Sequence, residues 1–218
     1  MNQPRTFTCD AVLFDLDGVL IDSAAVVERH WRQWAMGHGL DPEVVLAVSH
    51  GRPTIETIQE VAPHLDAVAE GRACEAVGGA DTDGLIVVAG ARALVEAMPR
   101  DRWAVVTSGN HQTATTRLHF GGYPIPNVFI TADRVTRGKP DPEGYLRAAK
   151  HLGMDPTRCL VFEDAPAGIA AAQAAGMQVI GVATTFAANK LHAADCVVPS
   201  LSPVKLVSTS PSLTLQVG

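Results

Sequence analysis

A chain of 218 residues, 47% hydrophobic and 18% charged, holds enough apolar mass for one sizeable domain and a smaller insert. Its formal net charge of −6 argues against a nucleic-acid binder, which would carry a basic face, and no apolar run approaches the ~20 residues of a membrane span. The acidic balance still admits an anionic small ligand wherever a bound cation reverses the local field.

Cys9, Cys74, Cys159 and Cys196 show neither close pairing nor metal-ligand spacing, and the eight histidines are scattered. Residues 1–10 are polar and short, unlike a secretory leader. Together these predict reduced, inert thiols and a cytoplasmic protein.

In chain order, the first predicted strand covers 11–16 and is apolar almost throughout, as a doubly covered central strand should be. Roughly 80 residues of helical rhythm follow before the next strand, with predicted helices over 24–36, 41–48, 54–61 and about 65–77. A βαβ crossover needs one helix, so several in succession predict an inserted cap. Trp31 and Trp34, three apart on the first of these helices, predict a packed cap core.

Beyond the insert, β-rich runs at 103–107, 128–131, 159–162, 178–182 and 196–198 alternate with Ala-rich helical stretches. The helices carry readable punctuation: Asn110 as a cap, Asp141-Pro142-Glu143 as a start with Gly153 as its stop, and Pro166 to Gly176 framing another. The fold class is therefore α/β, a Rossmann-like parallel sheet with an inserted α-helical cap. The expected division is a core of 1–21 and 90–218 and a cap of 22–89. Residues 213–217 alternate and predict either an edge strand or a loose tail.

Four motifs sit at predicted strand ends. Asp15-Leu16-Asp17-Gly18 follows the first strand, and carboxylates two apart project to the same side, into a pocket at the sheet's C-terminal edge. Thr107-Ser108-Gly109 offers a hydroxyl and free N–H groups entering a helix, a cradle for phosphate oxygens. Gly138-Lys139-Pro140 presents an ammonium from a rigid loop, and no upstream glycine pattern makes it a nucleotide P-loop. Glu163-Asp164 sets two acids side by side, an arrangement tolerated at a strand tip mainly around a cation.

In this order the four motifs resemble the haloacid dehalogenase-like (HAD) hydrolase superfamily, in the subclass with a helical cap between motifs one and two. The likeness covers essentially residues 10–200. Three stretches (137–140, 162–169 and 181–186) sharpen it toward bacterial sugar (hexitol) phosphatases and fungal glycerol-3-phosphatases and 2-deoxyglucose-6-phosphatases. Val19 stands where many members have Thr.

The resemblance implies a phosphatase with Mg²⁺ as cofactor and a small phosphorylated sugar or polyol as substrate, without nucleic-acid or membrane partners, as a monomer or weak dimer. Asp15 is then the nucleophile and Asp17 the acid–base group. Asp15, the Asp17 carbonyl and Asp164 are the expected metal ligands, with Glu163 a fourth ligand or a holder behind them. Lys139 and Thr107, helped by Ser108 and Gly109, are expected to bind and stabilise the transferring phosphoryl group. His50, Gly51 and Arg52 fall where relatives place a substrate-specificity loop, and Glu28 is a candidate for the cleft wall.

A sugar phosphomutase of the β-phosphoglucomutase type shares every core residue and differs in the cap, which must hold a second phosphate; Arg52 and Arg72 form no clear basic pair for it. A haloalkanoate dehalogenase fits poorly with Asp17 and the Lys–Glu–Asp set. A receiver domain carries its acceptor Asp on a later strand, without a cap.

Overall fold

The computed structural model describes residues 4–49 and 54–218. Arg5–Cys9 (β1) buries its alternate residues Phe7 and Cys9, whereas Ala11–Phe14 (β2) is buried at every position and covered on both faces. After a two-residue strand, Ile21–Asp22 (β3), the chain enters four helices: Ala24–Gly37 (α1), Pro42–Ser49 (α2), Thr54–Val61 (α3) and Ala67–Ala80 (α4). It returns through Ile86–Val87 (β4), which pairs antiparallel with β3 and so ties the two crossings together.

The helices pack on one another around their own apolar cluster of Trp31, Ala35, Val45, Leu46, Ile58 and Ala67. Trp31 meets Trp34 edge-on at 5.5 Å, and Trp34 Nε1 donates to Glu70 at 2.9 Å, so the tryptophan pair ties α1 to α4. At 14 residues α4 runs past its expected end, with Asp66 accepting from the N–H groups of Val68 and Ala69 at its start.

The rest of the chain alternates helix and strand: Ala91–Ala97 (α5), Trp103–Val106 (β5), His111–Gly121 (α6), Val128–Ile130 (β6), Glu143–Leu152 (α7), Cys159–Glu163 (β7), Pro166–Ala174 (α8), Gln178–Val182 (β8) and Cys196–Val198 (β9). The parallel sheet has the order β6-β5-β2-β7-β8-β9. Side chains alternate across it. Val12 and Phe14 join Leu160 and Phe162 on one face, where Phe14 stacks on Phe162 at 5.3 Å. Ala11 and Leu13 join Val161 and Tyr145 on the other, under α7 and α8.

Register positions the chemistry. Phe14 lies opposite Val105 on one side and Phe162 on the other, so the residues that follow β2, β5 and β7 emerge together at one sheet edge. As expected, Asn110 caps α6 by accepting from the Thr113 N–H, Asp141 accepts from the Glu143 N–H, and Gly153 ends α7 in the left-handed conformation.

The C-terminal stretch departs from the expectation of an edge strand or loose tail. Leu213–Val217 (β11) is the central strand of a second, antiparallel sheet, between β1 and Val204–Ser208 (β10). The reason is long-range: Leu213 and Leu215 alternate inward, but their partners Cys9 and Phe7 lie some two hundred residues earlier.

Asp10, in the turn between β1 and β2, fastens that sheet to the core. Its carboxylate accepts from Arg158 Nη2 and Ser212 Oγ, each at 2.8 Å, and also from Arg158 Nε. These bonds, led by Arg158, hold its pKa down at about 2. A depressed carboxylate stabilises the fold above its unfolded pKa and loses that contribution as pH falls through the folded one. Arg158 is half exposed, so solvent screening limits the pair to about 1 kcal/mol or less. Asp10→Asn should lower stability by that much at pH 7, and urea titrations of both proteins should converge as pH falls from about 4 toward 2.

Candidate active site

Asp15 leaves β2 with its N–H bonded to the Phe162 carbonyl at 3.0 Å, which sets its side chain beside the end of β7. It is buried, and its Oδ1 accepts from Lys139 Nζ at 2.6 Å. Lys139 Nζ also donates to Glu163 Oε1 at 2.5 Å and to the Val106 carbonyl at 3.1 Å, so all three ammonium donors are satisfied. Burial alone would lower the lysine pKa; the carboxylates of Asp15 and Glu163 outweigh it and hold the pKa well above the usual value.

The loop presenting Lys139 is braced more firmly than its proline alone implies. Glu143 Oε1 and Oε2 accept from the N–H groups of Thr136 and Arg137 at 2.9 and 3.0 Å. The stretch before the lysine is thus tied to the first turn of α7.

Glu163 closes β7 with almost no exposure. Its Oε1 takes Lys139 and the Tyr145 hydroxyl at 2.9 Å; its Oε2 takes the N–H groups of Asp164 and Ala165 at 3.0 and 3.1 Å. Both oxygens already have two donors each. Gly168 makes room for this carboxylate, since a Cβ there would stand 1.7 Å from Oε1.

Asp164 is buried next to it. Burial, then the negative charges of Glu163 and Asp15, push its pKa well above the carboxylate range, with a Thr185 hydrogen bond opposing. Burial likewise raises Asp15 to about 7, with Lys139 pulling down and Glu163 and Asp17 pushing up. Carboxylate oxygens of Asp15, Glu163 and Asp164 lie within 4.8 Å of one another. Three buried acids against one ammonium leave an excess of negative charge, which raises these pKa values and which a cation would relieve. The donors are hard oxygens, the set that suits Mg²⁺.

Gly18 lets the chain turn over this group. Its φ is +76°, a left-handed conformation suited to glycine, and a Cβ would fall 2.0 Å from Asp164 Oδ2. Its carbonyl accepts from the Thr184 hydroxyl. Thr107, just past β5, is buried and its Oγ1 accepts from the Gly109 N–H at 3.0 Å, which orients the hydroxyl proton away from the loop. Gly109 thus props that hydroxyl.

Asp17 stands slightly apart. Ser23 Oγ donates to its Oδ1 at 2.7 Å, and its Oδ2 pairs with Arg117 Nη1. Beyond these groups opens a cavity of about 900 Å³, walled on the cap side by Val27, Trp31, Leu46, Ile55 and Val77. Glu28 also reaches it, while pairing with Arg32 at 2.8 Å.

The fold thus brings Asp15, Asp17, Thr107, Ser108, Gly109, Lys139, Glu163 and Asp164 to one cavity. His50, Gly51 and Arg52 lie outside the described residues. Sequence reasoning assigned no role to Arg117, Ser23, Tyr145, Thr184 or Thr185. Arg117 had a signal: it lies seven residues after Asn110, two turns along the same helix face. Tyr145 sits in the apolar stripe of α7 and reads as core.

Residues 9–176 match the haloacid dehalogenase-like hydrolases. Hexitol phosphatase A of Escherichia coli (strain K12) is 42% identical over 201 residues, 90% of this chain and 93% of that protein. Glycerol-1-phosphate phosphohydrolase 2 of Saccharomyces cerevisiae (strain ATCC 204508 / S288c) is 38% identical over 206 residues, 89% and 82% of the two chains. The crystal structure of CbbY from Rhodobacter sphaeroides in complex with phosphate shares the fold, with a TM-score of 0.79 at 23% identity over 89% of this chain and 95% of that one. Since the match runs through the ends of β2, β5 and β7, where the site is built, this chain belongs to the haloacid dehalogenase-like hydrolase family.

Proposed function

We propose that the chain is a Mg²⁺-dependent phosphoric monoester hydrolase that acts on small sugar, sugar-alcohol or polyol phosphates through an aspartyl-phosphate at Asp15. The observation that carries this reading is the buried Asp15 carboxylate, oriented by Lys139 and opening with Thr107 and Asp17 onto a single cavity. Relatives matched over most of their length are sugar and polyol phosphatases, which supports the same substrate class.

A carboxylate oxygen of Asp15 bonds phosphorus as the bond from phosphorus to the alcohol oxygen breaks, and Asp17 supplies the proton that the departing alkoxide takes up. Water then attacks the aspartyl-phosphate, Asp17 takes its proton, and inorganic phosphate leaves with Asp15 regenerated. The Lys139 charge, the Thr107 hydroxyl and the Ser108 N–H stabilise the equatorial oxygens, and Gly109 acts through Thr107. Asp15, Asp164 and the Asp17 carbonyl would hold Mg²⁺, which supplies positive charge where the dianion meets the acids. With four donors on its two oxygens, Glu163 serves as the holder of Lys139 rather than a ligand.

The cap residues reading the organic part are proposed to include His50, Gly51 and Arg52, within a cap of 22–89. Among the described residues, the cap wall of the cavity offers no Lys or Arg, where a phosphomutase must anchor a second phosphate. The phosphatase names of the relatives favour hydrolysis over isomerisation. Among the described residues no helix is long and apolar enough to cross a membrane. Burial raises the Cys9 and Cys159 thiols to about 12, where they stay protonated and inert. A cytoplasmic monomer or weak dimer fits these features.

Phosphate release across sugar, hexitol and glycerol phosphates should require Mg²⁺, stop with EDTA, and fall at least about 1,000-fold in Asp15→Asn. Metal-independent turnover or an active Asp15→Asn enzyme would sink the reading, and isomerised sugar phosphate without net release would favour the mutase. Glu163→Gln should cost roughly 10–100-fold in kcat with little change in half-saturating Mg²⁺, whereas Asp164→Asn should raise half-saturation roughly tenfold or more. Equal rises in a Mg²⁺ titration of the two variants would make Glu163 a ligand.

A further inference from the structure

Arg117 is buried on α6, and Asp17, its partner, is the more accessible of the two at 29% exposure. Removing a guanidinium from water is costly unless a carboxylate meets it, and the carboxylate here is Asp17. The helix face that carries Arg117 also carries Thr113 and Ala114, all three buried, and begins at Asn110 directly after the Thr107–Gly109 loop. One face of α6 thus fixes the phosphate-facing loop at one end and the Asp17 carboxylate two turns later.

The two oxygens of Asp17 have different kinds of anchor. Oδ1 is held by Ser23, which stands between β3 and α1, where the chain enters the cap helices. Oδ2 is held by Arg117, whose helix packs through Ala114 and Leu118 into the same cluster as Phe14 and Phe162. Arg117 therefore belongs to the layer that carries Asp15, and Ser23 to the insert's entry.

The cations lining the cavity among the described residues are Arg117, Arg137 and Lys139. Lys139 has its three donors taken, and Arg137 is 71% exposed and paired with Asp141 at 2.9 Å. Among the described residues, Arg117 is the cation that joins the Asp17 carboxylate to the core.

We infer that Arg117 is a positioning residue, holding the Asp17 carboxylate where it exchanges a proton with the leaving oxygen and the attacking water. This rests on the reading of Asp17 as the acid–base group. It goes beyond that reading by making a residue outside the four strand-end motifs necessary for both proton transfers. Arg117 acts through Asp17, so its loss should matter most where a proton must move.

The test uses the intact Mg²⁺-loaded enzyme with two substrates: glycerol phosphate, whose alkoxide needs a proton, and p-nitrophenyl phosphate, whose nitrophenolate departs without one. Arg117→Met should lower kcat for glycerol phosphate roughly 100-fold, with KM within about threefold. Nitrophenolate release in a single turnover with excess enzyme, which reports the first step alone, should slow less than about threefold. Arg117→Lys should restore at least about a tenth of the lost turnover, and Asp17→Asn with Arg117→Met should be no slower than Asp17→Asn alone.

A raised KM with kcat intact would make Arg117 a direct substrate contact and overturn the inference. So would an unchanged kcat, or nitrophenolate release slowed as much as alkyl turnover, which marks general damage to the site. Should Arg117→Met fail to fold, Arg117→Gln and Arg117→Lys carry the same leaving-group comparison. An active Asp15→Asn, or an Asp17→Asn variant with unimpaired alkyl turnover, would instead overturn the underlying reading. Both are seen with Arg117 intact, so the two failures are distinguishable.

Discussion

A lysine ammonium withdrawn from water costs several kcal/mol, and the Lys139 side chain keeps only 13% of its surface exposed. Three bonds offset that cost, two to carboxylates and one to the Val106 carbonyl. Charge-assisted hydrogen bonds contribute about 1.5–3 kcal/mol each, so the set balances and any one bond alone does not. Much of the surrounding architecture serves this arrangement. The β2–β7 register sets Asp15 beside Glu163, Glu143 pins the loop that delivers the lysine, and Gly168 leaves space for the Glu163 carboxylate.

The same arrangement explains the division of labour across the cavity. At the sheet edge the groups are charged, buried and over-determined by hydrogen bonds, as a site for a dianion and a hard cation should be. The opposite wall mixes apolar side chains such as Trp31 and Val77 with polar ones such as Glu28 and Gln33, and comes from the cap helices, which have a separate core. The phosphoryl group meets a fixed electrostatic surface, while the organic portion meets a wall that can change in sequence without disturbing the charges.

Much of this was legible in the sequence because it is local. Continuous apolar runs marked the parallel strands, Asn110 and Gly153 marked helix ends, the acids fell at strand tips by simple counting, and the lysine fell in the loop before α7. What stayed hidden was long-range. Arg5–Cys9 is a short alternating stretch whose partner comes some two hundred residues later, and nothing local marks it as a strand. Tyr145 looks like one more apolar residue of α7 until the fold brings its hydroxyl to Glu163. Arg117 could be placed on the Asn110 face of α6, but its pairing could not be read, because its partner lies a hundred residues upstream, across the cap. The saturation of Glu163 was equally unreadable, since its four donors come from three separate places in the chain.

The second sheet has a bearing on the order in which the molecule is made. Arg5–Cys9 is made before the parallel sheet, yet its ladder partner, Leu213–Val217, follows only after that sheet and its helices. Contacts of such high sequence separation form slowly and late. Until then Phe7 and Cys9 lack their ladder partners Leu215 and Leu213, and the nascent chain carries an unpaired strand. Closing that sheet joins two segments some two hundred residues apart, after everything between them has been made.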